Sequence, residues 1–376
     1  MRPTWLVASV LAVLLVSAAF AQWTETRKAF VGSPQERTIQ VPFYMPYCAE
    51  PDFGWGMYYD HGRIPAVYRN AAYQRKCMVQ MAAAGLNTLT IYGWWGEKNV
   101  DDVNLQMALA QETGLARRPV MILPCGDPRK LVPLLKVPAG FPEVVGYGPD
   151  EPANTPEAGK QVADSAAQWH EAGLRVVTAI SADSAKGIGG PLDIWTIHVP
   201  KLGEVKPDGK HELWAYDCQQ RGTNFVLHRY EAGLYSFSAH RRIGLKAMFW
   251  WAYFNDANSG VFLNDDGSIK WNALRVNDHA LAGPDGPITT VGMKGINEGI
   301  DDFKILHEVE RRGGNEAWLD KLCASVPLNF WDGTDMPKGP ETSKYWWDAC
   351  DVAKPQFDLD AIRSEACRLL HMPSPD

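Results

Sequence analysis

Two acidic residues, Asp150 and Glu151, stand side by side in the segment Gly146–Pro152, which also contains two glycines and two prolines. Two ionised carboxylates at this spacing repel each other, which raises the proton affinity of one of them. A carboxyl of raised proton affinity is suited to general acid catalysis near neutral pH. The alternative is that Asp150 caps the following helix or binds solvent, as acids in turns often do.

The acidic pair follows a short apolar segment, which we expect to be the fourth strand of a parallel sheet. Short apolar segments rich in β-branched and aromatic residues alternate along the chain with longer segments of helical periodicity, and this pattern predicts strand–helix repeats. We predict eight strands: Ile39–Met45, Thr88–Tyr92, Pro119–Leu123, Val144–Gly148, Val176–Ile180, Ile194–His198, Glu212–Tyr216 and Ala247–Tyr253. Eight such units predict a (β/α)₈ barrel of the TIM type, for which ~250 residues is typical. The alternative, an open doubly wound sheet, would lack its GxGxxG nucleotide-binding fingerprint here.

The segments between these strands carry helix signals, above all a Gly just after the last periodic residue. Thr155 is a predicted N-cap because Pro156 follows it at the first helical position. Predicted helices cover Tyr68–Ala84, Val103–Glu112, Pro156–Ala172 and Asn224–Arg242, and from Pro287 onward the chain is expected to be helical, with a last helix near Leu359–Leu370. We assign residues 22–312 to the barrel and 313–376 to a C-terminal helical extension packed on it.

Residues 1–21 have the pattern of an export signal. Arg2 supplies a positive charge, Trp5–Val16 is apolar, and Ala19-Phe20-Ala21 forms a small-x-small cleavage site. A membrane anchor is the alternative, although a spanning helix needs ~20 apolar residues. We therefore expect a secreted or periplasmic protein that has no membrane contact after signal cleavage.

Composition bounds the partners of the chain. The net charge of −7 and the lack of a basic run argue against nucleic acid. The seven cysteines show no CxxC spacing and the nine histidines no HExxH or HxH pattern, so we expect no metal site and no cofactor. Cys323, Cys350 and Cys367 lie close enough in sequence for two of them to form a disulfide. Nothing in the sequence indicates the oligomeric state.

Active sites of (β/α)₈ barrels lie at the C-terminal ends of the strands, where this sequence places many aromatic and polar residues. Aromatic rings suit a carbohydrate site because the apolar face of a pyranose stacks on them. The candidate substrate-binding residues are Tyr92, Trp94, Trp95, Tyr147, His198, Tyr216, Asp217, Trp250, Trp251 and Asn255. Tyr216 and Trp251 are the preferred candidates to contact the carbonyl and methyl groups of an acetamido substituent.

The adjacency of the acids restricts the mechanism of a glycoside hydrolase. A retaining enzyme with a protein nucleophile needs two carboxyls ~5.5 Å apart that flank the anomeric centre. Neighbouring residues approach from one side and suit substrate-assisted catalysis, in which a 2-acetamido oxygen of the sugar is the nucleophile. Glu151 would then protonate the leaving oxygen, and Asp150 would stabilise the oxazolinium. Two alternatives stay open: a conventional glycosidase that pairs Glu151 with Asp217 or Asp256, and a barrel that binds glycans without cleaving them.

Three segments resemble glycoside hydrolase family 123 and the related domain-of-unknown-function 4091 proteins. They are VVGYGPDEP (Val144–Pro152), the closing-helix segment Gly283–Leu306, and the Trp-rich KAMFWWAYFN at the eighth strand. The resemblance implies an exo-acting β-N-acetylgalactosaminidase that uses the substrate-assisted route, with Asp150 as the acetamido stabiliser and Glu151 as the acid/base. Gly292, Met293 and Lys294 depart from the family pattern, which has an Arg-containing stretch there.

Overall fold

The computed structural model describes residues 48–59, 69–95, 100–124, 126–218, 225–253, 279–283, 285–329 and 357–370. The described residues from Glu50 onward belong to one compact unit, Glu50–Ser374. The predicted export signal, the predicted strand Ile39–Met45, and Asn255, Asp256, Cys125 and Cys350 lie outside the described residues.

Eight parallel strands form a closed barrel in sequence order, so the predicted (β/α)₈ architecture is confirmed. The barrel closes where the first strand pairs with the eighth, from Gly54 opposite Ala247 to Met57 opposite Trp250. The strands are β1 Gly54–Tyr59, β2 Thr90–Trp95, β3 Val120–Pro124, β4 Val144–Tyr147, β5 Val176–Ala179, β6 Ile194–His198, β7 Glu212–Asp217 and β8 Ala247–Trp250. Seven of these lie within a few residues of the predicted positions.

The first strand is a correction, because the barrel uses Gly54–Tyr59 where the sequence favoured Ile39–Met45. Glycine weakens a strand, and two glycines within three residues therefore argue against one. The structure gives the reason for the second of them: a Cβ on Gly56 would lie 2.2 Å from the ring of Phe249 on β8. Gly56 thus lets a large aromatic side chain pack inside the barrel.

Helices follow the strands, largely as predicted. Their bounds are α1 Ala71–Ala83, α2 Val100–Glu112, α3 Pro128–Leu131, α4 Pro156–Glu171, α5 Ala182–Ile188, α6 Phe225–Tyr230, α7 Ser236–Ile243, α8 Val291–Arg312, α9 Glu316–Ser325 and α10 Leu359–Leu369. Thr155 caps α4, since its side chain accepts a hydrogen bond from the Ala158 amide at 3.2 Å.

The remaining departures from the predicted elements are local. The single helix predicted at Asn224–Arg242 is divided by a π-helical segment, Glu231–Tyr235, between α6 and α7. An antiparallel hairpin, β9 Ala280–Gly283 and β10 Gly286–Thr289, occupies the start of the region predicted to be helical from Pro287.

The interior of the barrel is a cluster of buried aliphatic and aromatic side chains. Its members include Met121, Val145, Val177, Ile194 and Phe249. Three further members, Tyr58, Tyr147 and Tyr216, also line a cavity at the C-terminal ends of the strands. The core therefore holds the phenol rings rigidly while their hydroxyls reach the cavity.

The C-terminal helix α10 is fixed to α8 by partly buried ion pairs. Arg363 binds Asp302 and also pairs with Glu298 at 2.8 Å, and Arg229 on α6 pairs with Asp302 at 2.7 Å. Cys323 and Cys367 are both thiols, so the disulfide between these two is not formed. In the described part of the chain, no helix is both long and apolar enough to cross a membrane.

Candidate active site

The acidic pair lies on the segment that follows β4, and two glycines, one within β4 and one just after it, let the chain pack tightly here. A Cβ on Gly146 would lie 2.1 Å from the ring of Trp169 on α4, and a Cβ on Gly148 would lie 2.4 Å from Oγ1 of Thr178. The Gly148 amide donates to the Val177 carbonyl at 2.8 Å. The backbone beyond β4 therefore stays hydrogen-bonded to β5 as it approaches the acids.

Glu151 has a left-handed backbone, with φ of 44°, and is the non-glycine residue of positive φ among those described. Its amide donates to the carbonyl of Ala179 at 3.0 Å, which holds this conformation in place. Left-handed backbone costs a residue that carries a Cβ roughly 1 kcal/mol, and such residues cluster at functional sites. Both Asp150 and Glu151 line one cavity of about 240 Å³.

Each carboxylate is bound by a tyrosine hydroxyl from a different strand. The hydroxyl of Tyr147 donates to Oδ1 of Asp150 at 2.7 Å and accepts a hydrogen bond from the Ala179 amide at 3.3 Å. The hydroxyl of Tyr216 on β7 donates to Oε1 of Glu151. The two phenols thus fix two neighbouring carboxylates in the lining of the same cavity.

Partial desolvation shifts the pKa values of several groups around the cavity, although Asp150 and Glu151 are themselves exposed to solvent. Desolvation raises the pKa of Asp150, the hydrogen bond from Tyr147 opposes this rise, and the charge of Glu151 adds to it. Burial also raises the pKa of Tyr147 and of Tyr216, and the nearby carboxylates add to both shifts. Both phenols are therefore protonated hydrogen-bond donors at neutral pH.

Trp251 and Tyr58 add aromatic surface to the cavity lining. The ring of Trp251 packs on that of Tyr58 with centroids 5.1 Å apart, and Tyr58 meets Tyr147 edge to face at 6.5 Å. Ala179 and Cys218 complete the lining. Burial, followed by the negative charges of Asp217 and Glu151, raises the pKa of the Cys218 thiol, so it is not a thiolate nucleophile at neutral pH.

The structure brings together five of the predicted site residues in this cavity: Asp150, Glu151, Tyr147, Tyr216 and Trp251. Sequence reasoning missed Tyr58, Ala179 and Cys218. Tyr58 was missed because β1 was predicted elsewhere. The other two lie at strand ends, where their position alone would have made them candidates.

Other predicted site residues lie away from the cavity lining. Trp250 is fully buried, and its indole N–H donates to Glu231 Oε2 at 3.1 Å. Asp217 is 2% exposed and lies 3.7 Å from Nε2 of His198, whose ring stacks on Tyr216 at 5.0 Å. The side chains of Tyr92, Trp94 and Trp95, like Asn255, lie outside the described residues.

Within the described ranges, no group of three or more His, Cys, Asp or Glu side chains is arranged to hold a metal ion.

Several proteins of known structure are similar to this chain at low sequence identity. No protein-family model and no curated protein matches the sequence. A family 30 subfamily 8 xylanase from Clostridium acetobutylicum is 13% identical, with a TM-score of 0.37, over 58% of this chain and 69% of that chain. An endo-β-1,4-mannanase from Thermotoga petrophila is 12% identical, with a TM-score of 0.39, over 68% and 76%.

Enzymes of other chemistry are similar to the same extent. The homocysteine methyltransferase from Escherichia coli is 9% identical, with a TM-score of 0.34, over 54% of this chain and 92% of that chain. At these identities and scores the likeness concerns the fold alone, and a fold hosts many activities. The resemblance to glycoside hydrolase family 123 stays a prediction.

Proposed function

We propose that the chain is a glycoside hydrolase whose catalytic carboxyls are Asp150 and Glu151. The observation that supports this most is their position: two adjacent carboxylates line one cavity at the C-terminal end of a (β/α)₈ barrel, each bound by a phenol. Active sites of this architecture lie at that end of the barrel. Trp251 and Tyr58, which also line this cavity, offer aromatic surface on which a pyranose ring can stack.

The finer proposal is a substrate-assisted reaction on β-linked 2-acetamido sugars. The acetamido oxygen attacks the anomeric carbon, and the glycosidic oxygen leaves with a proton from Glu151. Asp150 binds the acetamido N–H and stabilises the oxazolinium. Water, deprotonated by Glu151, then opens this intermediate with retention of configuration.

The position of Asp217 disfavours the conventional two-carboxylate alternative in which it pairs with Glu151. Asp217 is almost fully buried and does not line the cavity, whereas a protein nucleophile must reach the anomeric carbon. Asp256, the other partner considered, lies outside the described residues. The family resemblance favours terminal N-acetylgalactosamine as the sugar, and we propose this substrate. The predicted export signal favours secretion, which is also part of the proposal.

The experiment that tests the proposal is a panel of aryl β-glycosides with and without a 2-acetamido group. We expect the wild type to hydrolyse 2-acetamido substrates, and Asp150→Asn and Glu151→Gln each to lower kcat by about 100-fold or more on unactivated substrates. Hydrolysis of unactivated 2-acetamido substrates that survives both substitutions would contradict the assignment. Sugar binding without hydrolysis of any substrate would identify a glycan-binding barrel instead.

A further inference from the structure

Tyr147 is the last residue of β4, and its hydroxyl is fully engaged. Its ring is 3% exposed and packs edge to face against Tyr58 within the barrel core. The hydroxyl accepts from the Ala179 amide at 3.3 Å and donates its one proton to Oδ1 of Asp150 at 2.7 Å. Because a phenol has a single proton, this hydroxyl has no second one to donate to a substrate.

The backbone of Ala179 organises both acidic residues from the end of β5. Its amide binds the hydroxyl of Tyr147, which in turn binds Asp150. Its carbonyl accepts the amide of Glu151 at 3.0 Å. A rigid strand end therefore fixes the Asp150 side chain through a buried phenol and the Glu151 backbone directly.

The two oxygens of Asp150 have different environments. In the part of the chain that the structure describes, the hydrogen bond to this carboxylate goes to Oδ1, and Oδ2 is left for a ligand. We propose that Tyr147 is a positioning residue: it holds Asp150 through Oδ1 so that Oδ2 meets the 2-acetamido N–H of the substrate. This inference rests on the proposed function and assigns Tyr147 a role other than the substrate contact expected from the sequence.

The bond from Tyr147 also affects the charge of Asp150. It favours the ionised carboxylate, whereas desolvation and the charge of Glu151 favour the protonated form. Removing the phenol hydroxyl therefore raises the pKa of Asp150. The titratable groups that face the cavity around this carboxylate are Glu151, Tyr58, Tyr147, Tyr216 and Cys218.

The test is Tyr147→Phe, which deletes one hydroxyl and keeps the ring packing. We expect kcat/KM on 2-acetamido aryl glycosides to fall about 10- to 100-fold, the size expected for one hydrogen bond to a charged group. The acid limb of the pH profile should move to higher pH. The matched control is Tyr235→Phe, at another buried tyrosine that does not line the cavity and whose hydroxyl donates to the Leu328 carbonyl at 2.9 Å. The pH profile of this control should equal that of the wild type.

Two further measurements test the positioning role of Tyr147. In an Asp150→Asn background, Tyr147→Phe should change kcat/KM by less than about twofold, because the two residues act as one unit. A 3-fluorotyrosine at position 147 is a stronger donor, so it should move the acid limb to lower pH. This variant decides the case if Tyr147→Phe does not fold.

The outcomes distinguish a wrong proposed function from a wrong positioning role for Tyr147. If Asp150→Asn retains wild-type activity, the proposed function is wrong. If Asp150→Asn is impaired while Tyr147→Phe and the fluorinated variant keep the wild-type pH profile, the function stands and the positioning role is overturned. Losses that add independently in the double variant would also overturn it.

Discussion

Removal of the general acid should slow the reaction in proportion to how much the leaving group needs a proton. Glu151→Gln preserves the side-chain volume and an oxygen that accepts the hydrogen bond from Tyr216. Positioned proton transfer contributes about 10²–10⁴-fold to rate. Tyr147, Tyr216 and Cys218 are poor substitutes as proton donors, since burial raises the pKa of each of them.

The assay is a series of aryl and alkyl 2-acetamido-2-deoxy-β-galactosides of increasing leaving-group pKa. For Glu151→Gln we expect a loss of about 10²–10⁴-fold with a methyl leaving group and less than about 10-fold with 2,4-dinitrophenol, which needs little protonation. The matched comparison is Asp150→Asn, whose loss should be similar across the series. A constant loss for Glu151→Gln across all leaving groups would refute its role as the acid.

Two predictions concern the backbone that carries the site. Gly146→Ala should lower the free energy of unfolding by about 1–3 kcal/mol, because the added Cβ would lie 2.1 Å from Trp169. The control is Gly190→Ala, whose Cβ would have no heavy atom within 4 Å and which should change this free energy by less than about 0.5 kcal/mol. Urea unfolding measures both, and equal effects would contradict the packing argument. Glu151→Gly should have a free energy of unfolding roughly 1 kcal/mol higher than that of Glu151→Ala, because both variants lack the carboxylate but only Ala retains a Cβ at φ of 44°. An Ala variant of equal or greater stability would contradict this prediction.

Much of the barrel could be predicted because buried parallel strands are short apolar segments that alternate with helices. Strands β2 to β8 have this form, and a Gly follows the helices α1, α2, α4, α5 and α7 within two residues, where the chain turns toward the next strand. β1 could not be predicted in the same way, since Gly56 is required by the ring of Phe249, a residue almost 200 positions away. Local sequence does not reveal such a contact.

At the candidate site, too, local sequence predicts some features, whereas others depend on contacts between distant residues. The Asp150–Glu151 pair could be identified from its place after the fourth strand, but the bonds from Tyr147 and Tyr216 depend on how three strands meet. Trp250 and Trp251 were predicted together as substrate-binding residues. Neighbours along a strand point to opposite faces, and the structure directs Trp250 to Glu231 behind the barrel wall and leaves Trp251 on the cavity.

The central claim is that the substrate supplies the nucleophile while Asp150 and Glu151 act from one side. A thiazoline mimic of the oxazolinium intermediate tests it most directly, by measuring its inhibition constant against the wild type and Asp150→Asn. We predict that the thiazoline binds the wild type at least about 100-fold more tightly than the substrate does, as intermediate mimics do, and that Asp150→Asn loses most of this advantage. A wild-type enzyme that cleaves 2-acetamido glycosides but is indifferent to the thiazoline would contradict the account.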